Sequence, residues 1–297
     1  MTQKIVPHLW FDKEAKEAAE FYVSLFPDSK ITNIATLHDT PSGDCDVVSF
    51  ELSGQSFMAI SAGSLFKFNP SISFLKVCQT KEEVDDLWAK LREGGQILMD
   101  LGEYPFSKKY GWTTDRYGLS WQIILDDGHY SYKHKITPTL MFVSDTCDKA
   151  EEAMTFYTSI FPESSVGNIA RYPAGMDPNK EGAVMHGSVM LAGQEFFTMD
   201  ASARMHKFAF NEAISLIVRC DTQEEIDYYW GKLSAVPESE QCGWLKDKYG
   251  VSWQIVPTAM AEIMKEKDPE KMARITEAFL AMKKFDIAKL KQAREGG

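Results

Sequence analysis

The strongest constraint on the fold is a thirteen-residue segment that occurs twice. GWTTDRYGLSWQI covers residues 111–123, and GWLKDKYGVSWQI covers residues 243–255. Nine of the thirteen positions are identical, and each copy contains two tryptophans. Such self-similarity is typical of a tandem duplication, so the fold must be interpreted one copy at a time.

Further matches extend the repeat in both directions and set its limits. KIVPHLWF at residues 4–11 corresponds to KITPTLMF at 135–142, and SISFLKV at 71–77 corresponds to ISLIVRC at 214–220. The sequence therefore predicts a first domain at 1–127, a polar linker at 128–134, a second domain at 135–257 and a helical tail at 258–297. His129 and His134 lie in or near this linker and are expected to be solvated.

Within each copy, a shorter pattern of strand, helix and three strands occurs twice. Alternating apolar residues in 4–11 predict a first strand, and apolar residues at helical spacing in 12–26 predict a helix after it. Thr80 to Glu83 and Thr222 to Glu225 are capping boxes, which mark the start of a helix in the second half of each copy. Asp268 and Asp286 are predicted to cap the tail helices.

Composition restricts the partners. The net charge is −11 and the pI is about 5.1, which argues against a nucleic-acid backbone or an anionic membrane surface. The N-terminal segment lacks the apolar core of a signal peptide, and the five cysteines form no CxxC pair. We therefore expect a cytoplasmic protein with reduced thiols whose partner is a small molecule. Cys78 and Cys220 are expected to lie in the core.

The helix end FYVSLFPDS, the repeated signature and the tail segment MKKFDIAKLKQA resemble PhnB-like proteins. These are also called demethylubiquinone methyltransferase-like and belong to the vicinal-oxygen-chelate superfamily of glyoxalases, bleomycin-resistance proteins and dioxygenases. The resemblance covers nearly the whole chain. It implies an α+β fold of tandem glyoxalase-like domains, each of two βαβββ modules whose mixed sheets curl into a cup, followed by C-terminal helices. It also implies an internal pseudo-dimer, with a homodimer as a further possibility.

In enzymes of this superfamily the cup holds a divalent metal, and the resemblance indicates where its ligands would lie. In the first copy these places match His8, or Pro7 if the register slips, with Ser73 and Gln122. In the second copy they match Thr139, Ser215 and Gln254. Because hydroxyls and amides replace hydration of a divalent ion poorly, we predict no tightly bound metal or other cofactor, with His8 as a weak candidate ligand.

Strand alternation places Gln122 and Gln254 opposite the core tryptophans Trp121 and Trp253, so that the amides face the cup. A neutral amide there both donates and accepts hydrogen bonds to a ligand, or it satisfies a neighbouring group of the protein. The predicted ligand-binding residues follow, one set for each copy: His8, Trp10, Ser73 and Gln122, and Thr139, Met141, Ser215 and Gln254. Purely structural roles remain open for His8 and for both glutamines.

The function hypotheses favour binding of a small polar or aromatic metabolite in each cup. One alternative is a metal-dependent isomerase, lyase or dioxygenase, and another is a structural protein that associates through its tail. The sequence contains no Gly-x-Gly loop between a strand and a helix, which the common methyltransferase fold uses for S-adenosylmethionine. Methyl transfer is therefore not predicted. Asp115 and Asp247 precede a Tyr-Gly turn, so we expect them to stabilise that turn.

Overall fold

The structure is a computed structural model that describes residues 3–40, 43–128, 130–263, 266 and 268–296. Helices and strands follow one another as the internal repeat predicts, in four successive modules. We number the modules 1 to 4 in chain order. Within the described residues, no helix combines the length and apolar composition needed to cross a bilayer.

Modules 1 and 2 each consist of a strand, a helix and three strands. Module 1 comprises β1 (Ile5–Phe11), α1 (Ala15–Leu25), β2 (Lys30–Thr40), β3 (Gly43–Leu52) and β4 (Gln55–Ser61). Module 2 comprises β5 (Ile72–Cys78), α2 (Lys81–Leu91), β6 (Ile97–Tyr104), β7 (Ser107–Thr114) and β8 (Ser120–Leu125).

Modules 3 and 4 repeat this order, but module 4 is one strand shorter. Module 3 comprises β9 (Ile136–Phe142), α3 (Ala150–Ile160), β10 (Ser165–Arg171), β11 (Val184–Leu191) and β12 (Gln194–Asp200). Module 4 comprises β13 (Ile214–Cys220), α4 (Gln223–Leu233), β14 (Trp244–Lys246) and β15 (Ser252–Pro257). The tail forms α5 (Met260–Ile263), α6 (Pro269–Leu280) and α7 (Ile287–Glu295).

The modules pair into two compact units, each built on one sheet. Unit 1 contains the described residues of Met1–Ser24, Asp28–Phe66 and Asn211–Gly297, and its strand order is β14-β15-β13-β1-β4-β3-β2. Unit 2 contains Leu25–Pro27 and Lys67–Phe210, and its strand order is β10-β11-β12-β9-β5-β8-β7-β6. Each unit thus joins one module from each sequence copy, across an antiparallel pair of first strands, β1 with β13 and β5 with β9.

The expectation that each copy forms its own cup is therefore wrong. Every module has an equivalent first strand, and any two such strands could in principle pair. The backbone hydrogen bonds that join strands are the same for any side chain, so the repeat pattern does not specify the partner. In the structure His8 lies opposite Ser215 and Ser73 lies opposite Thr139.

Residues that are identical in the two copies of the signature form a buried turn in each unit. Asp115 Oδ1 accepts the backbone N–H groups of Tyr117 and Leu119, at 2.9 and 3.0 Å. Gly118 then adopts a φ of +86°, which a side chain would disfavour. Asp247 makes the equivalent bonds to Tyr249 and Val251, at 2.8 and 3.1 Å. The predicted turn-stabilising role of both aspartates is confirmed.

The tail occupies the place of the strand that module 4 lacks. The N–H groups of Cys242 and Gly243 donate to the carbonyl oxygens of Met282 and Lys283, at 2.8 and 2.7 Å. Phe285 covers Gly243 from the outer face, as Trp88 of α2 covers Gly111 in unit 2. The tail also packs α6 against β2, so it forms part of unit 1.

Helix caps and core positions follow the sequence predictions. Thr80 and Thr222 accept the N–H groups of Glu83 and Glu225, and Asp268 and Asp286 cap α6 and α7. The cysteines Cys78 and Cys220 are fully buried, and this burial raises the pKa of each thiol to about 12. Both behave as small core residues, as expected.

Candidate functional site

The inner face of unit 1, defined here as the sheet face that carries His8, Ser215 and Gln254, collects polar and aromatic side chains. His8 on β1 lies opposite Ser215 on β13, and Gln254 on β15 lies in register with Trp244 on β14. The amide nitrogen of Gln254 donates to Ser215 Oγ at 2.9 Å. Alternation along β15 sends Trp253 to the opposite face, where it is fully buried.

His8 is a neutral imidazole in this environment. Its side chain is 4% exposed, and burial lowers the pKa of the ring to about 3. The edge of the ring meets Trp244 with centroids 5.5 Å apart, and Trp244 in turn meets Trp10 at 6.1 Å. The indole N–H of Trp10 donates to the carbonyl oxygen of Gly63 at 2.7 Å, which fixes this aromatic wall.

Several polar atoms on the inner face of unit 1 have no hydrogen-bond partner among the described residues. His8 Nδ1 and Ser252 Oγ are buried and unpaired. The hydrogen bond from Gln254 to Ser215 uses one amide N–H, so the carbonyl oxygen of Gln254 remains available as an acceptor. A buried polar atom without a partner costs about 1–3 kcal/mol, so such atoms commonly mark a place where a water or a ligand binds.

The inner face of unit 2, which carries Ser73, Gln122 and Thr139, has the same framework with different partners. The amide nitrogen of Gln122 donates to Ser73 Oγ at 2.8 Å, and its carbonyl oxygen accepts the hydroxyl of Tyr110 at 2.8 Å. Trp112 Nε1 donates to Ser120 Oγ at 2.7 Å. Thr139 Oγ1 is buried without a partner among the described residues.

Aromatic and apolar side chains fill much of this face. Tyr130 and Tyr132 from the linker pack against Phe197, and the Tyr130 hydroxyl donates to the buried Glu195 at 2.9 Å. Met141, one of the predicted site residues, is buried in the same cluster. The remaining members of the cluster are Leu75, Val77, Met99, Tyr104, Tyr110, Trp112, Ile124, Val143, Met199, Ala201 and Phe208.

The structure brings the eight predicted site residues together in a grouping that differs from the predicted one. Unit 1 combines His8, Trp10, Ser215 and Gln254, and unit 2 combines Ser73, Gln122, Thr139 and Met141. His8 and Gln122, expected in one cup, belong to different units because β1 pairs with β13. Ligand binding by any of the eight stays a prediction.

Several inner-face residues were not found from the sequence. Tyr110 directly precedes the first signature, whereas Cys242 directly precedes the second. This difference between the two copies was the sequence signal that could have identified Tyr110. The ring of His186 on β11 lies against the ring of Phe197, with centroids 4.6 Å apart and planes tilted by 42°, and burial lowers the pKa of His186 to about 4. His134 is half-buried and accepts the N–H of Glu195 at 3.4 Å, so its expected solvation is wrong. His129 lies outside the described residues.

The residues present do not fit a divalent metal. In the described part of the chain, no group of three or more His, Cys, Asp or Glu side chains is placed to hold an ion. In each module the final strand runs parallel to the first strand, and the residue compared here lies two positions after the partner of the polar residue on the first strand. This residue is Gln254 in module 4 and Gln122 in module 2, but Ile60 in module 1 and Met199 in module 3. Each inner face thus offers neutral donors and one apolar side chain in this ring, and divalent ions bind such a set poorly.

Comparison with known proteins matches the family model 3-demethylubiquinone-9 3-methyltransferase twice, at residues 3–124 and 134–256. No curated protein matches. A PhnB protein from Bacillus cereus that bears the same methyltransferase description is 43% identical, covering 41% of this chain and 99% of its own, with a TM-score of 0.39. A protein from Staphylococcus aureus is 30% identical, covering 43% of this chain and 99% of its own, with a TM-score of 0.19.

Glyoxalase I from Zea mays matches over 88% of this chain and 96% of its own, with a TM-score of 0.53 and 9% identity. This similarity concerns the fold, and it confirms the predicted α+β class of glyoxalase-like units with mixed sheets. The chain belongs to the PhnB-like, 3-demethylubiquinone-9 3-methyltransferase family, whose model matches both sequence copies.

Proposed function

We propose that this protein binds a small, uncharged, polar aromatic metabolite, and that the inner face of unit 1 is the principal site. The observation that carries the proposal is the set of unpaired polar atoms there, His8 Nδ1 and Ser252 Oγ, beside the carbonyl of Gln254. Trp10 and Trp244 supply flat apolar walls around these atoms. A few placed polar groups among aromatic side chains are typical of small-molecule sites.

The electrostatics favour an uncharged ligand. His8 stays neutral because it is buried, and Lys246, on the same face, is paired with Glu212 at 2.7 Å. A buried ligand charge would lose its hydration without gaining an opposite charge, which is costly. Neutral hydroxyl, amide and imidazole groups instead select a ligand by the direction of its donors and acceptors.

Unit 2 is the weaker candidate, with Ser73, Gln122, Thr139 and Met141 as its proposed contacts. Its amide is satisfied by Tyr110, and its face is packed with aromatic side chains. The buried hydroxyls of Thr137 and Thr139, two residues apart on the same face of β9 and both without a partner among the described residues, are the features that support binding there. We therefore expect one ligand per chain at moderate concentration.

The family description names a methyltransferase, but we do not propose methyl transfer for this chain. The strand-to-helix turn of each described module lacks the Gly-rich loop that binds the cofactor of common methyltransferases. The alternative, a metal-dependent isomerase, lyase or dioxygenase, rests on His8 alone. Elemental analysis of the purified protein tests it, and stoichiometric manganese, iron, nickel or zinc lost on His8→Ala would favour it.

The proposal is tested by thermal-shift screening of a neutral aromatic metabolite library, followed by calorimetry of each hit. Wild-type protein should bind at least one hit, and His8→Leu should weaken that binding tenfold or more if one hydrogen bond to the ligand is lost. His38→Ala, which removes an exposed histidine, is the matched control. If every hit bound equally well to the His8→Leu variant, the site would lie elsewhere and the proposal would fail.

A further inference from the structure

The two inner-face amides allow an internal comparison that points to a ligand class. Gln122 and Gln254 occupy the same signature position, and each donates its amide nitrogen to the serine of a first strand, at 2.8 and 2.9 Å. The amide planes are therefore anchored in the same way. The group that donates a hydrogen bond to the amide carbonyl oxygen in one unit therefore indicates which kind of group could bind the equivalent oxygen in the other unit.

In unit 2 the carbonyl oxygen of Gln122 accepts a phenol. The donor is the Tyr110 hydroxyl at 2.8 Å, and the Tyr110 ring meets Tyr104 and Phe106 edge-on at 5.6 and 5.1 Å. Burial raises the pKa of Tyr110, so the group is a neutral O–H donor. Tyr110 is thus a phenol supplied by the chain itself.

In unit 1 the chain does not supply this phenol. Cys242 stands at the position of Tyr110, directly before the Gly-Trp of the signature. Its backbone N–H binds Met282 of the tail, and its thiol contacts the carbonyl oxygen of Leu280 at 3.7 Å. The carbonyl oxygen of Gln254 has no partner among the described residues, and Gln254 keeps 7% exposure, against 4% for Gln122.

A second internal bond of unit 2 is also missing in unit 1. Trp112 Nε1 satisfies Ser120 Oγ, whereas the equivalent Ser252 Oγ is unpaired. Trp244, the counterpart of Trp112, instead lies against His8 and Trp10. Two neighbouring groups on the inner face of unit 1, Gln254 and Ser252, therefore lack the hydrogen bonds that hold their equivalents.

We propose that unit 1 binds a neutral phenol, whose hydroxyl donates to the carbonyl oxygen of Gln254 as Tyr110 does in unit 2. This assignment rests on the proposed function and names its ligand class. The aromatic ring would lie beside Trp10 and Trp244, and a further polar substituent on that ring would meet Ser252 or His8. A phenolate would bind poorly, because the carbonyl oxygen of Gln254 needs a donor and Lys246 is already paired with Glu212.

The first experiment compares phenol with anisole, its methyl ether, by calorimetry on the full-length wild-type chain. Anisole keeps the ring but has no hydrogen-bond donor. We therefore expect phenol to bind at one site per chain, and anisole to bind with an affinity roughly tenfold lower or lower still. Gln254→Leu should reduce the affinity for phenol by a similar factor. Equal binding of phenol and anisole, or no binding of phenol, would overturn the assignment.

The second experiment uses Tyr110. Tyr110→Ala should open a second phenol site beside Gln122, because a cavity left by a side chain binds a molecule of the same shape. The stoichiometry should rise from one to two. Tyr110→Phe, which keeps the ring, is the matched control and should leave one site.

A stoichiometry of one for Tyr110→Ala would contradict the internal comparison. Should that variant fail to fold, the comparison of phenol and anisole on the wild-type chain still decides the assignment. The proposed function can survive even if the phenol assignment fails. A library hit without a phenolic hydroxyl that depends on His8 would preserve ligand binding by unit 1 while removing the phenol as its class.

Discussion

The indole N–H of Trp121 donates a hydrogen bond of 2.9 Å to Asp115 Oδ2, six residues earlier in the chain. Trp253 and Asp247 repeat the bond at 2.8 Å. The same carboxylates hold the turn through their other oxygen, so each aspartate ties the turn to the core strand that carries the inner-face glutamine. This link explains why the signature keeps its Asp, Gly and Trp at constant spacing.

Replacing Asp115 with alanine should lower the free energy of unfolding by about 3 kcal/mol or more. The change leaves two backbone N–H groups and one indole N–H without their acceptor in a buried site. Chemical denaturation measures the loss. Asp100→Ala, which removes an exposed carboxylate of β6, is the control and should change stability by less than about 0.5 kcal/mol.

Phe285→Ala should destabilise unit 1 selectively. Phe285 is buried over Gly243 and holds the tail against the edge of β14, so its loss removes core packing worth about 3–5 kcal/mol. Hydrogen exchange should then speed up at the Cys242 and Gly243 amides, which bind the tail. Unchanged protection of those two amides would show that the tail is not held by this contact. Leu65→Ala, at a side chain 74% exposed, serves as the control.

Substituting Gly111 with alanine should cost about 1–3 kcal/mol, because the added methyl would lie 2.6 Å from the Trp88 ring. At Gly231, inside α4, an added methyl group would have no neighbouring atom within 4 Å. Gly231→Ala should therefore stabilise the protein by about 0.5–1 kcal/mol through the loss of backbone freedom in the unfolded chain. Thermal unfolding of the two variants should shift in opposite directions, and equal shifts would contradict the packing of Trp88 on Gly111.

The buried histidine makes stability depend on pH. The folded pKa of His8 is about 3, below its ordinary value of 6.5, so the unfolded chain binds a proton that the folded chain does not. The contribution of His8 to stability is complete above pH 6.5 and falls as the pH decreases from 6.5 towards 3, by about 1.4 kcal/mol for each pH unit. His8→Leu should remove the contribution of one proton from the dependence of the unfolding free energy on pH, as measured by chemical denaturation between pH 6.5 and about 3. His38→Ala should retain the wild-type slope.

Features that depend on residues close together in the chain can be predicted from the sequence alone. The duplication, the four modules, the capped helices, the signature turns and the inward direction of Gln122 and Gln254 all follow from spacings of a few residues. Helical and strand periodicities act over such distances, so the pattern of side chains carries the information directly. The buried positions of Trp121, Trp253, Cys78 and Cys220 follow for the same reason.

Which modules share a sheet is visible in the folded chain and not in its sequence. His8 meets Ser215 rather than Ser73 because β1 pairs with β13, and backbone hydrogen bonds between strands do not depend on the side chains that distinguish one copy from the other. The replacement of a strand by the tail and the phenol that Tyr110 offers to Gln122 likewise depend on groups brought together from separate segments. Such contacts carry no local period, and they are what makes the two inner faces of this duplicated chain chemically different.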